Sequence, residues 1–126
     1  MHSEPMKPRA AMAPFSARVT SLIAGHLERG RVGVEAVASQ LHMSRHTLHK
    51  RLKEENLTFA ALLEDIRRER ALAYLKDRSK PLVEIAEQLG FSELSAFSRA
   101  FKRWTGMAPA QYRARHLNID NGDAPE

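Results

Sequence analysis

The chain is 126 residues long, 43% hydrophobic and 28% charged, enough for one compact unit or two very small ones but not for an enzyme with separate cofactor and substrate domains. Its 20 Lys and Arg against 15 Asp and Glu leave a formal charge of +5, which favours a polyanionic partner, nucleic acid or an anionic membrane surface, without choosing between them. There is no cysteine, so disulfides, thiolate zinc sites and cysteine nucleophiles are excluded, and a reducing cytosol fits.

The longest apolar runs, such as Phe59-Ala60-Ala61-Leu62-Leu63, fall far short of the roughly 20 residues a membrane-spanning helix needs, and no signal peptide is visible. A soluble, cytoplasmic protein is expected. Residues 1–14 hold three of the six prolines and no apolar period, which reads as a disordered arm or an expression remnant. The tail, 117–126, reads as equally loose. Between them the apolar residues fall at helical spacing and no segment alternates as a strand does, so the fold is expected to be all-α, with about seven helices.

Val19, Leu22, Ile23, His26 and Leu27 mark a first helix, with Ser16 as its candidate cap and an end near Gly30. A short helix follows with Val34, Val37, Ala38 and Leu41 inward. Ser44 is placed to cap the next, about 45–55, with Leu48 and Leu52 as its buried stripe. From Thr58 a long helix is expected to run to about Lys76. Its apolar residues change sides: Leu62, Leu63 and Ile66 lie opposite Ala71, Leu72 and Leu75. Such a helix reads as a linker, 58–77, between a first lobe, 15–57, and a second, 78–116. The second lobe opens at Ser79-Lys80-Pro81 with a helix carrying Leu82, Ile85, Ala86 and Leu89 and closed by Gly90. Ser92 is the candidate cap of a helix over about 93–104 that turns Ala96, Phe97, Ala100, Phe101 and Trp104 inward. Gly106 ends it, and Pro109 opens a last short helix that buries Tyr112.

The two lobes repeat one another. Val34, Val37, Ala38, Leu41 and Ser44 match Leu82, Ile85, Ala86, Leu89 and Ser92 at an offset of 48 residues. Beyond the serines, Leu48, Lys50, Leu52 and Lys53 match Phe97, Arg99, Phe101 and Lys102 at an offset of 49, so the second copy has one extra residue at its turn. Each copy is a short helix, a turn and a longer helix, with a small alanine where the two must cross closely: a helix-turn-helix. One α-helix fits the DNA major groove and turns its exposed side chains to the base edges. Those side chains are Arg45, His46, His49 and Lys50 in the first copy, and Leu94, Ser95, Ser98, Arg99 and Lys102 in the second. Arginine and lysine can bond guanine, serine several bases or phosphate, and histidine can donate or accept.

The second copy reads Ile85-Ala86, then Gly90-Phe91-Ser92, then Phe97-Ser98-Arg99-Ala100-Phe101-Lys102-Arg103, then Gly106, Pro109 and Tyr112-Arg113. This resembles the signature of the AraC/XylS family of transcription regulators. The first copy, from Val37-Ala38 through Leu41-His42-Met43-Ser44 to Thr47-Leu48 and Leu52, resembles that family's more variable first half. The resemblance spans about 16–115. It implies a bacterial regulator that binds double-stranded DNA through two reading helices about one turn of duplex apart, on the order of 34 Å. The base-facing positions it implies are His46, His49 and Lys50, then Ser95, Ser98 and Arg99, with Arg45 and Lys102 beside them. It also implies activation through RNA polymerase, and a small effector, if any, held by a domain outside this chain. Whether the chain is a fragment or a short regulator stays open. The chain departs from the pattern at the two histidines of the first reading helix and at Lys50, where arginine is frequent.

Other readings of these residues are weaker. His42, His46 and His49 have a metal-like spacing, but no acidic or thiol ligand is near and His42 precedes the cap, so DNA contact or plain exposure is preferred. Protonation of His46 or His49 on DNA would tighten binding as pH falls from about 8 to 6. Phe97, Phe101 and Trp104 could stack on single-stranded bases, yet their i, i+4, i+7 spacing is that of a core. Arg67, Arg68 and Arg70 read as a solvated surface paired with Glu64 or Glu69, with phosphate contact as the alternative. For Arg99 a phosphate contact without sequence information remains beside base reading. DNA alkyl-transfer repair proteins carry a related module but need a cysteine acceptor; no catalytic pair, triad or phosphate loop is present, and no cofactor or metal is implied. A protein-binding module is the remaining rival.

Overall fold

The computed structural model describes residues 14–30 and 32–117, so the readings of the arm and of most of the tail lie outside the described residues. Seven α-helices are present among them: α1 (Phe15–Glu28), α2 (Val34–Gln40), α3 (Arg45–Lys53), α4 (Phe59–Leu75), α5 (Leu82–Gln88), α6 (Leu94–Thr105) and α7 (Pro109–Tyr112). A π-helical turn, Arg113–Leu117, follows. There is no strand among the described residues, and no helix long and apolar enough to cross a membrane. The chain divides into two compact units, the first ending at Glu64 and the second beginning at Asp65.

In the first unit α1, α2 and α3 pack on one another. Val19, Ile23, Leu27, Val37, Ala38, Leu48 and Leu52 are buried, as their spacing predicts. Ser16 does not cap α1. Pro14 holds that position, and the backbone N–H of Ser16 instead donates to the Glu55 carboxylate at 3.2 Å. A residue just beyond α3 thus satisfies a free donor at the start of α1, where the helix dipole favours a negative charge. His26, in the last turn of α1, is buried and lies 2.7 Å from Gln40 Oε1 through its Nε2. The buried Nδ1 has no hydrogen-bond partner among the described residues.

The second unit closes on Ala71 and Leu75 of α4, Ile85, Ala86 and Leu89 of α5 and its end, and Phe97 and Phe101 of α6. The rings form a connected set. Phe91 to Phe97 is 5.7 Å between centroids, Phe97 to Phe101 5.8 Å, and Phe101 to Tyr112 5.3 Å. Phe97 and Phe101 are fully buried, which removes them as a stacking platform. Leu94 packs against this core as well, so it does not belong on the exposed face of α6.

The two turns show the repeat at the level of single bonds. Met43 N–H donates to Ala38 carbonyl at 3.0 Å, and Phe91 N–H to Ala86 carbonyl at 3.0 Å. In both, the residue before the donor is left-handed: His42 at φ 59° and Gly90 at φ 85°. This six-to-one closure is a Schellman arrangement. Glycine adopts it freely, whereas at His42 the left-handed backbone costs about 1 kcal/mol. The next helix is capped by Ser44 in the first copy but begins after Glu93, not Ser92, in the second. Glu93 is 49 residues from Ser44, so the extra residue lies ahead of the cap. Position 92 is one residue too early to reach the free N–H groups of α6.

The arginines near the changeover in α4 are not simply solvated. Arg67 donates from Nε to Leu89 carbonyl at 2.7 Å and from Nη2 to Gly90 carbonyl at 3.0 Å, with its guanidinium 4.2 Å from the Phe91 ring centroid. It covers the free carbonyls at the end of α5 with a positive charge, the favoured sign there. Arg68 pairs with Asp65 at 3.3 Å rather than with Glu64 or Glu69. Arg113 treats the end of α4 likewise, bonding Leu75 and Asp77 carbonyls at 3.1 Å each.

Arg67→Ala is expected to lower stability by about 2 kcal/mol in urea unfolding, the scale of charge-assisted hydrogen bonds to backbone carbonyls. Arg67→Lys should recover less than half, because lysine lacks the planar fork and stacks poorly. Between α4 and α5, Asp77 accepts from Ser79 Oγ at 2.6 Å and Ser79 N–H at 3.1 Å, and these bonds hold its carboxyl below its ordinary value of 3.8. The folded pKa is the lower one, so the stability this group supplies is present above pH 3.8 and is lost as pH falls through the folded midpoint. Ser79→Ala should move the Asp77 midpoint upward, as carboxyl-carbon NMR titration will read.

Candidate nucleic-acid interface

Each unit presents the second helix of its helix-turn-helix with one side buried and the other open. On α3, Leu48 and Leu52 are fully buried, which fixes the rotation of the helix and leaves Arg45, His46, His49 and Lys50 exposed. On α6, Phe97, Ala100 and Phe101 are buried, and Ser95, Arg99 and Lys102 are exposed with Ser98 half-buried. The i, i+3, i+4, i+7 spacing of 95, 98, 99 and 102 places them along one face, as does the spacing of 46, 49 and 50.

Cap chemistry sets where each face begins. Ser44 Oγ accepts from Thr47 N–H at 3.1 Å and donates to Thr47 Oγ1 at 3.1 Å. α6 has no side-chain cap, and Ala96 N–H bonds the Glu93 carbonyl at 3.2 Å. Neither helix has an acidic residue in its first turn, so both starts keep the positive end of the helix dipole. α3 ends at Lys53 rather than Glu55 because Asn56 turns left-handed at φ 62°.

Two features of this face are not visible from local sequence. Arg45 pairs with Glu35 of α2, Nη1 to Oε2 at 3.3 Å, across the turn. Arg51, also on α3, lies 4.0 Å over the ring of Phe15 and is drawn to the side of the helix facing α1. Lys53, matched to Lys102 in the repeat but not counted among the exposed reading residues, stands one turn beyond His49, and His46, His49, Lys50 and Lys53 line one shallow hollow. A second, larger hollow of about 510 Å³ adjoins it, lined by His49, Lys53, Asn56, Leu57, Thr58, Phe59 and Ala60. Among the described residues no three His, Asp or Glu side chains converge as a metal site would require, and His42 is held in the turn.

Two helix-turn-helix units, each with a polar, cationic face open to solvent, define a class of protein, and comparison with known proteins narrows it. Residues 37–115 match the model of a helix-turn-helix domain family. The chain is 44% identical over 102 residues to the HTH-type transcriptional regulator VirS of Mycobacterium tuberculosis, covering 81% of this chain and 30% of that protein. It is 32% identical over 102 residues to the transcriptional activator NphR of a Rhodococcus species, with the same coverage. Among solved structures, the DNA-binding domain of AdpA, a global transcriptional factor crystallised with a target DNA, superposes with a TM-score of 0.67 at 27% identity, covering 80% of this chain and 94% of that one. The chain belongs to the AraC/XylS family of bacterial transcription regulators, whose members are regulators rather than enzymes. It spans about 30% of the length of VirS and NphR.

Ser44→Ala should cost about 1 kcal/mol in thermal or urea unfolding, the usual loss for a serine cap. Ser92→Ala should cost no more than a few tenths, since Ser92 caps nothing.

Proposed function

We propose that this chain binds double-stranded DNA sequence-specifically, with α3 and α6 each entering a segment of major groove. The observation that carries this reading is the repetition of one turn geometry ahead of two helices, each anchored by buried apolar residues and open on a polar, cationic side. In the first helix His46, His49 and Lys50 face the bases, with Arg45 at the amino-terminal end, where a reading helix usually meets base edges. In the second, Ser95, Ser98 and Arg99 do so, and Lys102 meets phosphate. The DNA complex of the similar AdpA domain supports the partner. The word activator in the name of NphR supports a second element of the proposal, activation through RNA polymerase. Any small effector acts through sequence outside this chain, and the protein works in the cytoplasm.

Selection of bound sequences from random duplexes at about 150 mM salt tests this. Two preferred blocks about one helical turn apart are expected. Arg99→Ala should relax one block and His49→Ala the other, each by about 1–3 kcal/mol of discrimination. Absence of any enriched sequence, with a flat salt dependence, would remove the DNA reading and favour a protein partner.

A further inference from the structure

The Arg45–Glu35 pair joins the first residue of α3 to the first turn of α2 at 3.3 Å. Its side chains are 58% and 77% exposed. A pair so open to water contributes little to folding. It also places a carboxylate beside the end of α3 that the proposed function turns toward DNA, where phosphate oxygens would repel it.

The internal repeat supplies a second observation. At the offset of 48 that relates the first helices of the two copies, Glu35 corresponds to Val83, and at the offset of 49 that relates the second helices, Arg45 corresponds to Leu94. Val83 is exposed, at 52%, and Leu94 packs on the second core. Where one copy has an acid and a base, the other has neither charge. The two positions change together, as they would if the acid were present for the sake of the arginine.

We infer that Glu35 is a specificity-determining residue that restrains Arg45 from binding phosphate indiscriminately while leaving it able to read guanine; this rests on the DNA-binding function proposed above. A guanidinium carries five N–H donors, and Glu35 engages Nη1. The remaining donors can still form two parallel bonds to guanine O6 and N7 with the carboxylate in place. A swing toward the phosphate backbone breaks the pair and leaves the carboxylate uncompensated near phosphates. Glu35 therefore weakens binding to every duplex, and least where guanine lies opposite Arg45.

The test compares the unmodified protein, Glu35→Gln, Arg45→Ala and the double variant. Each is titrated against a selected duplex and a scrambled duplex of equal length and composition, over a range of salt. Glu35→Gln should raise affinity for the scrambled duplex roughly threefold to tenfold and steepen its salt slope by about one. The ratio of selected to scrambled binding should fall, with the lost preference confined to one guanine. In the Arg45→Ala background the same Gln substitution should leave that ratio unchanged. Equal gains on both duplexes, or a change in ratio that persists without Arg45, would overturn the inference by reducing Glu35 to a bulk charge. Lack of salt-dependent duplex binding by the unmodified protein would instead refute the DNA-binding function, and the inference with it.

Discussion

In each unit one backbone bond decides the rest: the N–H that follows the left-handed turn residue reaches back to the carbonyl of an alanine, Met43 to Ala38 and Phe91 to Ala86. The bond stops the short helix and reverses the chain within a few residues. Alanine at that place lets the following helix cross at close range, since a larger side chain would hold the two apart. The crossing is then locked by apolar residues on the longer helix, Leu48 and Leu52 or Phe97 and Phe101, all fully buried. Once those are inward, the opposite side of each helix is committed to solvent, and its residues are free to be polar.

The two units reach this common geometry with different materials. The first accepts a strained histidine in its turn, ties α1 to α2 through His26 and Gln40, and uses Glu55 to quiet the start of α1. The second has glycine in the turn, an aromatic core, and Arg67 fastened to the turn carbonyls and stacked on Phe91. Arginine keeps its charge throughout the ordinary pH range, so that fastening does not depend on protonation. The histidine and glutamine pair fastens the first unit through a directional hydrogen bond.

Much of this was legible in the chain itself because helical periodicity and the repeat report on burial, and burial fixes rotation. The buried residues of α3 and α6, the cap at Ser44 and the glycine ends at Gly90 and Gly106 follow from residue type and spacing alone. What escaped involves partners distant in sequence. Nothing local tells that Ser16 will donate to Glu55, 39 residues on, or that Arg67 will reach Leu89. Ser92 and Leu94 depart from expectation for a related reason: spacing shows that the second turn is one residue longer, but where that residue falls relative to the cap is a matter of backbone path. Glu35 drew no notice because its partner lies across the turn, outside any helical spacing.

That extra residue has a bearing on how such a chain can diverge. It lies between the left-handed turn and the start of α6, and the register of buried residues resumes beyond it with Phe97 standing where Leu48 stands. The turn absorbs the added length and the helix is not rotated. A residue can therefore be added at this point without turning the following helix, and the two copies differ in turn length while keeping the orientation of the side chains they expose.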